Sequence, residues 1–72
     1  GVDLIIENQS NLTPIEVKFK TSHTSKDFLG LKAFMKTYNT NKGLLISLAG
    51  RQDKNIGDKT IICRNPFNLK MI

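Results

Sequence analysis

The sequence predicts a small α/β domain in which a β-hairpin is followed by a right-handed βαβ crossover, giving a mixed sheet with one main helix. Three stretches carry this prediction. Residues 13–20 alternate apolar and polar side chains, as a β-strand does. Residues 24–38 repeat apolar side chains every three or four positions, as an amphipathic helix does. Residues 44–48 are nearly continuously apolar, as expected for a strand that a parallel sheet buries on both faces.

The composition is that of one small, basic domain. The 72 residues include eleven Lys and Arg against six Asp and Glu, a formal net charge of +5, and 39% of them are hydrophobic. This balance favours anionic partners such as DNA or RNA, although lysines that only keep a small domain soluble explain it as well. Because the chain begins Gly-Val-Asp without a Met, we expect residues 1–72 to be a single domain truncated from a longer protein.

Cysteine usage and hydropathy predict a cytoplasmic protein without a membrane partner. Cys63 is the single cysteine of the sequence, so it has no partner for a disulfide within the chain. It follows two isoleucines and is expected to pack as a small core residue. No apolar run approaches the ~18 residues of a membrane-spanning helix, and no signal peptide is visible.

The first two strands are predicted to form an antiparallel hairpin. Residues 2–7 are rich in β-branched side chains, and a polar cluster that suits a turn follows them. The register follows from matching apolar faces, because a slip of one residue would move every side chain to the opposite side of the sheet. Position 3 must then pair with an even-numbered residue, which brings Asp3, Glu16 and Lys18 together on the polar face. The apolar face is expected to hold Val2, Leu4, Ile6, Ile15, Val17 and Phe19.

The helix is predicted to begin after Thr24 and to run to about Tyr38. Thr24 and Asp27, three positions later, resemble a capping box. Its apolar stripe consists of Phe28, Leu31, Phe34, Met35 and Tyr38. The strand that follows the helix should lie parallel to the second strand, since a strand, a helix and a buried strand make a βαβ unit.

The remainder of the chain gives weaker signals. Residues 49–59 are polar and are predicted to form a long loop. Residues 60–63 are predicted to form a short strand. Phe67, Leu69 and Met71 alternate with polar residues and predict a last, weak strand.

The predicted hairpin carries Asp3 and the run Ile15-Glu16-Val17-Lys18, and it leads into a helix and a buried strand. This arrangement resembles the PD-(D/E)xK nuclease superfamily. The continuation Phe19-Lys20 makes the run look particularly like the nuclease-like domain that follows an AAA+ ATPase domain in many bacterial and archaeal proteins. The resemblance covers residues 2–48. It implies a restriction-endonuclease-like core, DNA or RNA as the substrate, and an ATPase domain of the parent chain as a partner.

By the same resemblance, Asp3 and Glu16 would be carboxylate ligands of Mg²⁺ or Mn²⁺, and the backbone carbonyl of Val17 would be a third ligand. Lys18 would position or activate the attacking water, which makes Asp3, Glu16 and Lys18 the candidate catalytic residues. Lys20 would contact a nucleic-acid phosphate. The set is chemically suitable, because Mg²⁺ prefers hard oxygen ligands and keeps several waters.

The same residues also suit roles without catalysis. A solvated hairpin face with a modest cross-strand ion pair would equally place Asp3, Glu16 and Lys18 together. The nuclease-like fold could instead serve a non-catalytic module that docks nucleic acid or another protein. His23 lies in a Ser- and Thr-rich stretch and is expected to be exposed, and Glu7 is interpreted as a charge at the end of the hairpin.

Overall fold

The computed structural model describes residues 2–67 and contains a five-stranded sheet with an α-helix packed on it. The strands are β1 (Leu4–Asn8), β2 (Asn11–Lys18), β3 (Lys42–Ser47), β4 (Gln52–Ile56) and β5 (Lys59–Arg64), and the helix α1 is Leu29–Tyr38. A 3₁₀ turn, Ser25–Phe28, leads into α1. The predicted α/β class with one main helix is confirmed for these residues.

The sheet is mixed, with the strand order β1-β2-β3-β5-β4. Strands β2, β3 and β5 are parallel to one another, and β1 and β4 pair antiparallel at the two edges. The predicted hairpin and the predicted parallel pairing of β2 with β3 are therefore confirmed. Leu4 lies opposite Ile15, so even positions of β1 meet odd positions of β2, as the matching of apolar faces requires.

The prediction of a loop over residues 49–59 is wrong, because this stretch contains β4. The side chains of β4 are nearly all polar on both faces, and an exposed edge strand can form without an apolar face. Gly57 has a φ of 61° and with Asp58 closes a two-residue turn between Ile56 and Lys59. A Gly-Asp pair between two strands is a recognised hairpin signal that could have revealed β4. Of the predicted last strand, Phe67 lies in a turn, and the remainder lies outside the described residues.

Helix α1 covers one face of the sheet, and the core lies between them. The core consists of Phe28, Leu31, Met35, Leu45, Ile61 and Cys63, all of them almost fully buried. Gly43 lets the helix approach β3 closely, since a Cβ atom at this position would lie 2.9 Å from the sulfur of Met35. The predicted core position of Cys63 is confirmed.

No helix of residues 2–67 packs on the opposite face of the sheet, although Ile15 on that face is buried. This face also holds Leu4 and Val17, which are 60% and 38% exposed. The predicted common face of the hairpin is thus formed, but it lies away from the core, because α1 packs on the side that carries Glu16. Val2 is an exception to the predicted face, since it packs against the core cluster. No helix among the described residues is long and apolar enough to cross a membrane.

Candidate metal and phosphate site

Asp3 is held against the edge of β2 by two hydrogen bonds. Its backbone N–H donates to the carbonyl of Ile15 at 3.0 Å. Its carboxylate Oδ2 accepts the backbone N–H of Val17 at 2.8 Å. Asp3 therefore spans the two residues that flank Glu16, and the structure brings the first predicted site residue to the middle of the predicted motif.

The backbone of Val17 faces the side of β2 where β1 has ended. The last paired residues of the two strands at this end are Leu4 and Ile15, and the Val17 N–H points to the same side because it binds Asp3. In an antiparallel pair the N–H and C=O of one residue address the same neighbouring strand. The Val17 carbonyl thus faces this edge beyond the last β1–β2 pair, where a backbone ligand for a metal ion is needed.

Glu16 is buried on the helix side of the sheet, with 7% of its surface exposed. Its Oε2 lies 3.3 Å from the ammonium nitrogen of Lys18, whose side chain is 34% exposed. Its Oε1 is also buried and has no hydrogen-bond partner within residues 2–67. A buried carboxylate oxygen without a donor is energetically unfavourable, and a cation would satisfy it.

These residues fit a metal ion held mainly by oxygen atoms and water. In the part of the chain that the structure describes, no three His, Cys, Asp or Glu side chains form a group that could hold a metal. An ion at this edge would therefore depend on two carboxylates, Asp3 and Glu16, and on the Val17 carbonyl. Mg²⁺ accepts such a set because it usually retains several waters.

Lys20 has a partner of its own. Its ammonium group binds both carboxylate oxygens of Asp27, at 2.9 and 3.0 Å, and about half of the Lys20 side chain remains exposed. A phosphate that contacts Lys20 would have to compete with this ion pair. The phosphate contact stays a prediction.

Asp27 is the centre of a cluster that the sequence revealed only in part. It is 5% exposed, and besides Lys20 it accepts the Thr24 N–H at 3.0 Å, which confirms the predicted capping box. Its Oδ2 also lies 3.2 Å from Nδ1 of His23. The hydrogen bond from Lys20, followed by that from Thr24, holds the pKa of Asp27 well below its ordinary value.

The prediction that His23 is exposed is wrong, because its side chain is completely buried. The ring packs edge-on against Phe28, with 6.2 Å between the ring centroids. Its Nε2 is buried without a hydrogen-bond partner among residues 2–67. The four-residue spacing between His23 and Asp27, across a capping box, is the sequence signal that could have indicated the contact.

A family model described as a domain of unknown function, DUF4143, matches residues 1–67. The chain belongs to this family. The DUF4143 match includes every strand and helix described above and all the predicted site residues. Comparisons with curated proteins and with solved structures gave no match. The role of the Asp3, Glu16 and Lys18 cluster in this DUF4143 domain must therefore be argued from its chemistry.

Proposed function

We propose that this DUF4143 domain has a restriction-endonuclease-like core of the PD-(D/E)xK kind and hydrolyses phosphodiester bonds of DNA or RNA with a divalent metal ion. In the parent protein it would follow an ATPase domain. One observation carries the proposal: Glu16 is buried although one of its carboxylate oxygens has no partner, while Lys18 contacts the other oxygen and Asp3 binds the backbone of the next residue. A purely structural strand has no reason to keep an acid there.

The residues would divide the work as follows. Asp3, Glu16 and the Val17 carbonyl would hold Mg²⁺ or Mn²⁺. The bound ion supplies charge neutralisation on the phosphate and a lower pKa for a bound water. Lys18, which already contacts Glu16, would orient the attacking water and stabilise the negative charge that develops on the phosphate. Before the ion binds, Asp3 would have a second task, since its bond to the Val17 N–H fixes the backbone that presents the carbonyl.

The alternative function is a non-catalytic module with the same fold that docks nucleic acid or protein. The pairing of both lysines near the site favours it, because Lys18 and Lys20 are each engaged with an acid. Charges that are already neutralised attract phosphate less strongly. The two functions differ in whether a metal ion binds and whether cleavage follows.

A titration of the 72-residue chain with Mg²⁺ and Mn²⁺, followed by backbone NMR, tests the metal site. We expect saturable shifts with Mg²⁺ and paramagnetic broadening with Mn²⁺, both centred on Asp3, Glu16 and Val17. Glu16→Gln should abolish both effects. Glu7→Gln is the matched control, because Glu7 is an exposed acid on the neighbouring strand, and it should leave both effects unchanged.

Cleavage of labelled single- and double-stranded DNA and RNA then separates the two functions. We expect Lys18→Met to bind Mn²⁺ as the wild type does and to lose at least a hundredfold in cleavage rate, in line with the usual loss when a group that stabilises developing charge is removed. Metal binding without cleavage in the wild type would favour the docking module. A spectrum that is insensitive to both metals would overturn the metal site itself.

A further inference from the structure

Phe19 and Phe67 form an exposed aromatic contact beyond the ends of β2 and β5, and we call these two residues the aromatic pair. Their ring centroids lie 6.1 Å apart, with an angle of 43° between the ring planes, which is ordinary for two aromatic rings. The contact covers little of either side chain, since Phe19 is 56% and Phe67 is 78% exposed. Phe28, which belongs to the core, is 3% exposed. Core packing therefore does not account for the aromatic pair.

Leu48 fixes the backbone next to both members of the aromatic pair. Its N–H donates to the carbonyl of Lys20, the residue after Phe19, at 3.2 Å. Its carbonyl accepts a hydrogen bond from Nδ2 of Asn65 at 3.2 Å. The Oδ1 of Asn65 accepts the backbone N–H of Phe67 at 2.9 Å. The two aromatic residues are thus held beside each other before a ligand binds, which lowers the entropic cost of binding one.

The aromatic pair lies at the same end of the sheet as the candidate metal site. Phe19 directly follows Lys18, the last residue of β2, and Phe67 lies in the turn that follows β5. These are the carboxyl ends of parallel strands, where open α/β sheets generally bind their ligands. Phe19 is two residues from Val17, so their Cα atoms are at most about 7 Å apart. A nucleic-acid strand bound at the Val17 carbonyl would therefore reach the aromatic pair within a few nucleotides.

Basic side chains surround this end of the sheet. Lys18 and Lys20 flank Phe19, and each keeps part of its side chain exposed although it contacts an acid. Arg51 is exposed and leads into β4 beside the carboxyl end of β5. Positive charge beside exposed aromatic rings suits single-stranded nucleic acid, because the cations attract phosphates and the rings stack on bases. A base inside a duplex can offer its face to a ring only after it is unstacked, which costs energy.

The size of the aromatic pair favours a nucleobase over a protein surface as its ligand. Two rings are far smaller than the extended patch that a specific protein interface requires. A base needs only one flat surface of its own size. Every base has such a face, so stacking does not require a particular sequence.

We propose that the aromatic pair is a base-stacking platform and that the substrate of the neighbouring site is single-stranded nucleic acid. Phe19 and Phe67 would bind a base while a phosphate of the same strand lies at Lys18. The inference rests on the proposed nuclease function for the kind of polymer that binds. Stacking itself needs no metal ion, so it can be measured when cleavage is blocked.

Binding of labelled oligothymidylate to the 72-residue chain in EDTA, followed by fluorescence anisotropy, tests the platform without catalysis. Phe19→Leu and Phe67→Leu should each weaken binding at least about fivefold, the lower end of what loss of a stacking ring costs. Both variants should bind a duplex of the same length as the wild type does, because charge alone holds the duplex. Leucine keeps the side chain apolar and removes the ring. Two variants protect the test if one folds poorly, which a thermal melt reveals.

Tyr38→Leu is the matched control. Tyr38 is also an exposed aromatic residue, 57% exposed, and it contacts the ring of Phe34. It is the last residue of α1, shortly before β3 begins, and therefore lies at the opposite end of the sheet. We expect this variant to bind oligothymidylate as the wild type does.

Phe67→Trp gives a direct signal, because the sequence contains no tryptophan. A base that stacks on the introduced indole quenches its fluorescence. We expect this variant to keep the affinity of the wild type, and we expect quenching by the single strand but not by the duplex.

The proposal is overturned if the wild type does not bind oligothymidylate, or if both leucine variants bind it as the wild type does. In the second case the exposed rings serve another partner, such as a protein. Equal losses for single strand and duplex, or an equal loss in Tyr38→Leu, also overturn it. Metal binding without an effect of the leucine variants would remove the platform and leave the nuclease proposal standing. A selective loss in EDTA, together with a spectrum insensitive to Mg²⁺ and Mn²⁺, would support the platform and overturn the metal site.

Discussion

Replacing Glu16 with Met should stabilise the metal-free domain, although it removes a residue of the candidate site. Glu16 is buried, one of its oxygens has no partner, and its contact with Lys18 is the ion pair that the structure gives it. Residues kept for function often cost stability, and their replacement by a well-packed apolar side chain then raises it. The sign of the change therefore separates a functional acid from a structural one.

The magnitude follows from three contributions. Relief of the unpaired oxygen is worth about 1–3 kcal/mol. Loss of the ion pair opposes this by at most about 1 kcal/mol, because Lys18 is one-third exposed and can turn towards water. Apolar replacements of buried ion pairs stabilise by about 1–4 kcal/mol, and we expect about 2 kcal/mol here. In a domain of this size that corresponds to a rise of about 8–16 °C in Tm.

Urea and thermal unfolding in EDTA, and again with Mg²⁺, measure the effect. With Mg²⁺ at a hundred times its Kd the wild type should gain about 2.7 kcal/mol, whereas Glu16→Met should gain nothing. Glu7→Met, at an exposed acid on β1, controls for the general effect of removing a charge and should change stability little. A loss of more than about 1 kcal/mol in Glu16→Met without metal would refute the reasoning, because Glu16 would then hold the fold together.

Three further predictions concern the fold around the site. Asp27→Asn should lower the stability at neutral pH and make stability depend less on pH in the acid range. The pKa of Asp27 is lowered in the folded state, so its contribution to stability is present above about pH 4 and is lost as the pH falls further. Urea unfolding at several pH values measures this difference. Gly43→Ala should destabilise by about 1–3 kcal/mol, because the new methyl group meets Met35, and a second substitution, Met35→Ala, should make the added methyl group much less harmful in a double-mutant cycle. Gly57→Ala should destabilise by about 1 kcal/mol or more through its left-handed backbone, whereas Gly50→Ala, at a position with open space and no such φ, should not; thermal unfolding compares the two.

Much of the fold was predictable because it depends on local patterns. The alternation around Glu16 and Lys18 and the three- and four-residue spacing in α1 determine strand and helix directly, and the apolar run of β3 indicates a central strand. Strand β4 was missed because it is an edge strand, and its polar side chains give no hydrophobic period. Local patterns also could not predict which face of the sheet α1 covers, because both faces of β2 carry residues that can be buried.

The site was predictable in its members but not in its contacts. The family resemblance named Asp3, Glu16 and Lys18, and the register brings them to one end of β2. That Glu16 is buried with a free oxygen depends on the packing of the helix side, which no short pattern encodes. The burial of His23 and the engagement of Lys20 by Asp27 depend in the same way on the closure of one loop.

The bond between the Asp3 carboxylate and the Val17 amide makes that amide a natural probe of the site. In most of a sheet an amide proton is protected by a backbone carbonyl, whose state does not change with ligands. Here the protecting atom belongs to a side chain that would also bind a metal ion. Deuterium exchange at this one amide therefore reports whether Asp3 keeps its hydrogen bond to Val17. Slow exchange means that the carboxylate still binds the amide. Faster exchange on addition of Mg²⁺ means that the carboxylate has left the amide to bind the metal.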